Sequence, residues 1–163
     1  MSKKTEAKAA QEEGRKIIAT NRKAFHEYHV LDRVEAGLKL NGNEVKALRD
    51  GQCVISDAYA LIDKNENKAW LLNLQIPEWN RGNQIEPHEP KRKRVLLLNK
   101  LEIKRLRQSL QEERRTLVPL SVYFKRGWAK VEIGVCQGKK MHDKRQAIKE
   151  RDAKREIARS VKR

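Results

Sequence analysis

"LVPLSVYFKRGWAKVEIGV", residues 117–135, decides the fold. Leu120, Val122 and Phe124 alternate onto one face, "KRG" turns the chain, and Val131, Ile133 and Val135 share a face on the return. That alternation about a turn predicts a β-hairpin. Around it lie weaker signals of the same kind. "VEAGLKL" (34–40) leads into the turn signal "NGN", and "AYALID" and "KAWLLN" are joined by "KNEN" as a second hairpin. Two short helices interrupt the strands. "NEVKALRDG" carries Asn43 as its N-cap, Val45 and Leu48 inward, and Gly51 as its stop. "NKLEIKRLRQSLQEE" starts at Asn99, with Glu102 three residues on and Ile103, Leu106 and Leu110 on one face. Many short strands with few helices predict a mainly β chain, a small antiparallel β-barrel.

The chain has 163 residues and a net charge of +16. Apolar residues make up 38 %, below the globular average of roughly 45–50 %, so part of the chain is expected outside the core. Three zones follow: a polar, disordered leader over 1–20, a β-barrel over 21–137, and a basic tail over 138–163 without aromatics or prolines. The tail's apolar residues are too sparse to dock it. It is expected to be flexible when free and to fold on a partner. Residues 77–94 hold three prolines and read as a long crossing loop that ends in "KRKR", a surface patch.

So much positive charge calls for a polyanion. Nothing approaches the roughly 20 apolar residues of a spanning helix, so a membrane partner is the weakest candidate. The two cysteines, Cys53 and Cys136, have no metal spacing and read as cytosolic thiols. An enzyme is not assembled from these residues. "GVCQGKK" lacks P-loop spacing, "HxxH" at His26 and His29 lacks further ligands, and His142 beside Asp143 makes no acid–base pair. No metal or cofactor is expected. "NRKAFHEYH" (21–29) instead sets Arg22, Lys23 and His26 among Phe25 and Tyr28, cations for phosphate beside rings for stacking. The alternative places those two rings in the core.

"NRKAFHEY", "VEAGLKLNGNEVKALRDG", "ISDAY", "KRKRVLLLNKLEI", "TLVPLSVYFKRGWAKVEIGV" and "GKKMHDKR" occur in that order. Together they resemble the small protein B family, the SsrA-binding proteins of bacterial trans-translation, over residues 21–163. The resemblance implies an oligonucleotide-binding (OB-like) barrel with a flexible basic tail. It implies a cytoplasmic, monomeric adaptor for the tRNA-like domain of transfer-messenger RNA. With elongation factor Tu, such a protein carries that RNA into stalled 70S ribosomes, where the tail meets 16S rRNA at the decoding centre and the empty mRNA channel.

The resemblance puts Asn21, His26, Tyr28, Glu35, Leu97 and Lys130 on the transfer-messenger RNA face, with core packing as the alternative for Leu97. It puts Gly138, Lys139, Lys140, His142, Asp143, Lys144, Arg145 and Val161 on the ribosome side, with Gly138 permitting a bend. Three places depart from the family pattern: Phe25, Arg114, and the Ser160–Val161 pair. The runner-up is a ribosomal protein or initiation-type factor with a similar barrel.

Overall fold

The computed structural model describes residues 14–63, 65–79, 87–112 and 114–160. Its elements run β1 (Arg15–Thr20), α1 (Arg22–Glu27), β2 (Tyr28–Leu38), α2 (Gly42–Arg49), β3 (Tyr59–Ile62), β4 (Ala69–Leu72), β5 (Arg94–Leu97), α3 (Lys100–Ser109), β6 (Arg115–Lys125), β7 (Trp128–Gly138) and α4 (Met141–Ser160). The fold is a mainly antiparallel sheet with a few helices. Strand order is β1-β6-β3-β4-β5-β2-β7, and β7 also pairs with β6, so the ladder returns on itself.

The 117–135 stretch forms the long β6–β7 hairpin. Lys125 faces Trp128 across a two-residue turn in which Arg126 (φ 51) and Gly127 (φ 81) are both left-handed. That is type I′ geometry, whose twist matches the strands. One expected feature differs. The register slips between Pro119 and Ser121, beside a proline that has no N–H to donate. Leu120 therefore faces away from Val122 and Phe124. It packs with Ala24, Val118 and Cys136 in a small second cluster, while Val122 and Phe124 join Val131, Ile133 and Val135 in the main core. Gly134 is required there, because a Cβ would stand 2.9 Å from Leu120 Cδ1 and 3.0 Å from Cys136 Sγ.

The chain boundaries also move. Arg15–Thr20, assigned from composition to the leader, is a strand paired antiparallel with Lys125–Ser121. Its only strongly apolar residues are Ile17 and Ile18, set among lysine and arginine, so the strand was hidden in a charged run. The tail, expected to be disordered, forms one continuous helix, α4, with no buried residue. It contains neither glycine nor proline, and Gln146 reaches Glu150 one turn on.

Helix α2 starts two residues earlier than the sequence suggested. Its N-cap is Asn41, whose N–H donates to Glu44 Oε2 at 2.8 Å, so Asn43 lies inside the helix. Asn99 caps α3 as expected, its N–H donating to Glu102 at 2.7 Å. "KRKR" is not wholly a surface patch. Arg94 is fully buried with Glu44: its Nε donates to Glu44 Oε1 at 2.9 Å, and its NH1 to the carbonyl of Leu74 at 2.5 Å. Arg92 grips the same carboxylate at 2.6 and 2.9 Å. Burial alone would raise the Glu44 carboxyl, but the two guanidinium groups and the Asn41 N–H hold its pKa below the ordinary value. This triad ties α2 to β5. The part of the 77–94 loop over 80–86 lies outside the described residues.

Candidate nucleic-acid interface

The residues expected on the RNA face fall into two groups, bridged by a third. Leu97 and Lys130 come together. The pairs Gly37↔Leu97 and Gly37↔Lys130 set both side chains beside a glycine, and the three line a hollow of about 480 Å³ with Phe124 and Trp128. Leu97 is 57 % exposed and Trp128 73 %, so Leu97 is not core. Gly37 keeps the hollow open, since a Cβ there would meet Leu97 Cβ at 3.1 Å. Lys130 has no ion-pair partner among the described residues.

Around α1 lies the second group. Asn21 is buried, and its side chain is spent internally. Oδ1 accepts the Ala24 N–H at 3.0 Å, and Nδ2 donates to the carbonyl of Pro119 at 3.0 Å. It positions α1 against β6 and does not present an amide to solvent. Arg22 and Lys23 are exposed, and Lys23 pairs with Asp57 at 3.1 Å. His26 and Tyr28 are half-buried, with Tyr28 packed on the small second cluster. Phe25 is exposed, with the Arg33 guanidinium 5.6 Å from its ring centroid. The two aromatic rings therefore divide: Tyr28 leans on the core and Phe25 faces outward.

Glu35 is the bridge, and it too is internally engaged. Its Oε2 accepts from Tyr123 OH at 2.6 Å, from Lys125 Nζ at 3.2 Å and from Arg15 NH2 at 3.3 Å. Burial would raise this carboxyl, but the bonds from Tyr123 and Lys125 and the charges of Lys125 and Arg15 outweigh it and depress the pKa. The Tyr123 hydroxyl is correspondingly raised, first by burial and then by Glu35. Arg15 also stacks 4.8 Å from the Tyr123 ring centroid. Glu35 thus fastens β1 over β6 and sets the posture of two cations. The sequence reading missed Arg15, Tyr123, Lys125 and Trp128. Trp128 was findable as an unpaired ring next to the strongest hairpin turn, but the cations on Glu35 needed the β1–β6 pairing.

The tail residues join the α1 group. Gly138 ends β7 opposite Tyr28, three residues before α4 begins, and its φ is not in the left-handed region. Lys139 anchors the junction: its N–H donates to the Glu27 carbonyl at 2.9 Å and its Nζ to that of Phe25 at 3.1 Å. Asp143 accepts the Lys140 N–H at 3.3 Å and stands 3.6 Å from His29. Lys140, His142 and Arg145 are exposed, and Lys144 is half-buried. Val161 lies outside the described residues.

Nothing in this arrangement concentrates acid–base or nucleophilic chemistry. "GVCQGKK" runs through β7 and onto the junction, not round a phosphate-binding turn. Burial pushes the thiols of Cys53 and Cys136 up to about 11. Among the described residues no three His, Cys, Asp or Glu side chains gather to hold a metal, and no helix is long and apolar enough to cross a membrane.

Fold and surface define a class: a strongly basic, antiparallel-sheet protein whose outward faces set rings and aliphatic groups among lysines, suited to a polyanion that carries flat bases. The chain belongs to the SmpB protein family, whose model matches residues 18–163. It is 49 % identical over 150 residues to the SsrA-binding protein of Trichodesmium erythraeum, covering 92 % of this chain and 95 % of that one. To the SsrA-binding protein of Salinispora tropica it is 51 % identical over 151 residues, with 93 % of each chain covered. A solved chain described as "tmRNA-SmpB: a journey to the center of the bacterial ribosome" matches with a TM-score of 0.63 at 38 % identity, over 80 % of this chain and 93 % of that chain.

Proposed function

We propose that this protein is an RNA-binding adaptor of trans-translation, a carrier and not a catalyst. It binds the tRNA-like domain of transfer-messenger RNA and delivers it, with elongation factor Tu, to the A site of stalled ribosomes in the cytoplasm. The observation that carries this reading is the 51 % identity to an SsrA-binding protein over 93 % of both chains. The ring of pairings β6–β3–β4–β5–β2–β7–β6 supports a small OB-like barrel as the RNA platform. The Leu97–Lys130 hollow supplies an apolar wall and a cation side by side for a nucleotide of that RNA. Arg22, Lys23 and His26 on α1 extend the positive surface, with Asn21 and Glu35 holding the frame. Helix α4 with its exposed His142 and Arg145, together with Lys140 just before it, is the element offered to 16S rRNA in the decoding centre and the empty mRNA channel. It takes up its working conformation there.

Sequencing the RNA that co-purifies with the chain from a bacterial lysate tests this. A single transfer-messenger RNA is the expected recovery. Intact ribosomal subunits without that RNA would replace the reading with a ribosomal protein.

A further inference from the structure

The outward face of β3–β4–β5 carries a feature that the Leu97–Lys130 hollow does not use. Leu61 pairs with Trp70, Trp70 pairs with Val95, and the Lys39 N–H donates to the Val95 carbonyl at 3.1 Å. Ladder partners share a face, and the alternate residues Ala60, Ala69, Leu71 and Leu96 are buried. Leu61, Trp70, Val95 and Lys39 therefore form one outward row. The next row is Leu97–Gly37–Lys130, the hollow itself. The Lys93 ammonium lies 4.9 Å from the centroid of the Trp70 ring. Neither row contains a carboxylate. Acidic groups flank the two rows: Glu35 and Glu132 pair in the row beyond Gly37 and Lys130, with Glu35 held by Tyr123, Lys125 and Arg15 and Glu132 3.5 Å from Arg33, and Asp63 and Glu66 sit in the β3–β4 turn. Asp63 accepts two backbone N–H groups there, and Glu66 pairs with Lys68.

We infer that Trp70 and Lys93 form a second nucleotide subsite, continuous with the Leu97–Lys130 hollow, that takes an unpaired nucleotide of the same bound RNA. This rests on the function proposed above. The ring supplies a stacking face that any base can use, and the lysine supplies charge for the adjoining phosphate. In the free protein Lys93 covers the ring by a cation–π contact. A base that takes the ring face releases the ammonium, whose flexible stem then reaches a phosphate. Lys39, which ends the Trp70 row two residues along the chain from Gly37, carries positive charge across the step from one subsite to the other. Three features favour RNA over an apolar protein partner here: the two rows themselves carry no carboxylate, a cation already lies on the ring, and the row adjoins Lys130 directly.

The test is anisotropy binding of a labelled tRNA-like-domain RNA to full-length chains over several salt concentrations. Trp70→Leu should weaken binding about tenfold, the effect of losing one base–aromatic stack, while Trp70→Phe binds nearly as the wild type. Lys93→Gln should weaken binding and flatten the log–log salt slope by about 0.7, the contribution of one single-strand phosphate contact. Melting temperatures identify a variant that fails to fold, and if Trp70→Leu does so, Lys93→Gln decides the matter through its slope. Unchanged affinity in both Trp70→Leu and Lys93→Gln overturns the subsite, as does equal loss in Trp70→Leu and Trp70→Phe. A wild-type chain that does not bind this RNA overturns the proposed function itself, which is a different result.

Discussion

Two carboxylates with no role in chemistry organise this molecule at the residue scale. Glu44 sits fully buried between Arg92 and Arg94, and Glu35 holds Arg15, Tyr123 and Lys125. Replacing one partner of a buried pair leaves the other's charge uncompensated. Glu44→Gln should therefore lower the unfolding free energy by about 3 kcal/mol, measured by urea denaturation at neutral pH. Both carboxyls have depressed pKa values in the folded chain. Their stabilisation is fully present above the unfolded carboxylate pKa of about 4.3. It is lost as pH falls through the lower folded values, so the wild-type chain should weaken steeply below about pH 4 while Glu44→Gln shows a shallower acid limb. Lys130 makes a different kind of contribution, because no ion pair restrains it among the described residues. Lys130→Ala should leave the melting temperature within a few degrees, weaken binding to a tRNA-like-domain RNA, and flatten the salt slope by about 0.7–0.9.

At the scale of elements, what the sequence made legible was local. The β6–β7 hairpin, the β3–β4 hairpin and the Asn99 cap each rest on residues within a few positions of one another, and all three stand in the structure. The misplaced features are those fixed by distant partners. Arg94 could not be told from its neighbours in "KRKR", because the carboxylate that buries it is 50 residues away on α2. Around α1, the internal bonds of Asn21 and Lys23 were likewise not legible. Asn21 is buried by Pro119, which lies far along the chain, and Lys23 is paired with Asp57. Leu120 reads as an inward partner of Val122 until the slip at Pro119 turns it round. One error was avoidable: Glu44 stands three residues after Asn41, the capping-box spacing, and that pair outranks Asn43 as a helix start. The β1 strand shows the same dependence on remote partners. It covers Tyr123, which is 1 % exposed, and supplies Arg15 to Glu35. A chain that begins at Asn21 uncovers that ring and should melt on the order of 5–10 °C below the full chain, by differential scanning calorimetry. A true leader would leave the melting temperature unchanged.

For the whole molecule, the proposed function places RNA at two ends that join at α1. The sheet end offers Leu97, Lys130 and the Trp70–Lys93 row. The other end begins at Lys139, which is hydrogen-bonded to the last residues of α1, and continues into a helix none of whose residues is fully buried. An exposed helix contributes little to the stability of the sheet, and none of Leu97, Lys130 or Trp70 belongs to it. Binding and delivery should therefore separate. The measurement that tests this is peptide tagging on stalled ribosomes in a reconstituted translation system, comparing the full chain with one ended after Lys140 at RNA-saturating concentration. The shortened chain should keep its melting temperature and its affinity for transfer-messenger RNA and yet support almost no tagging. Tagging by the shortened chain at the rate of the full one would contradict that separation.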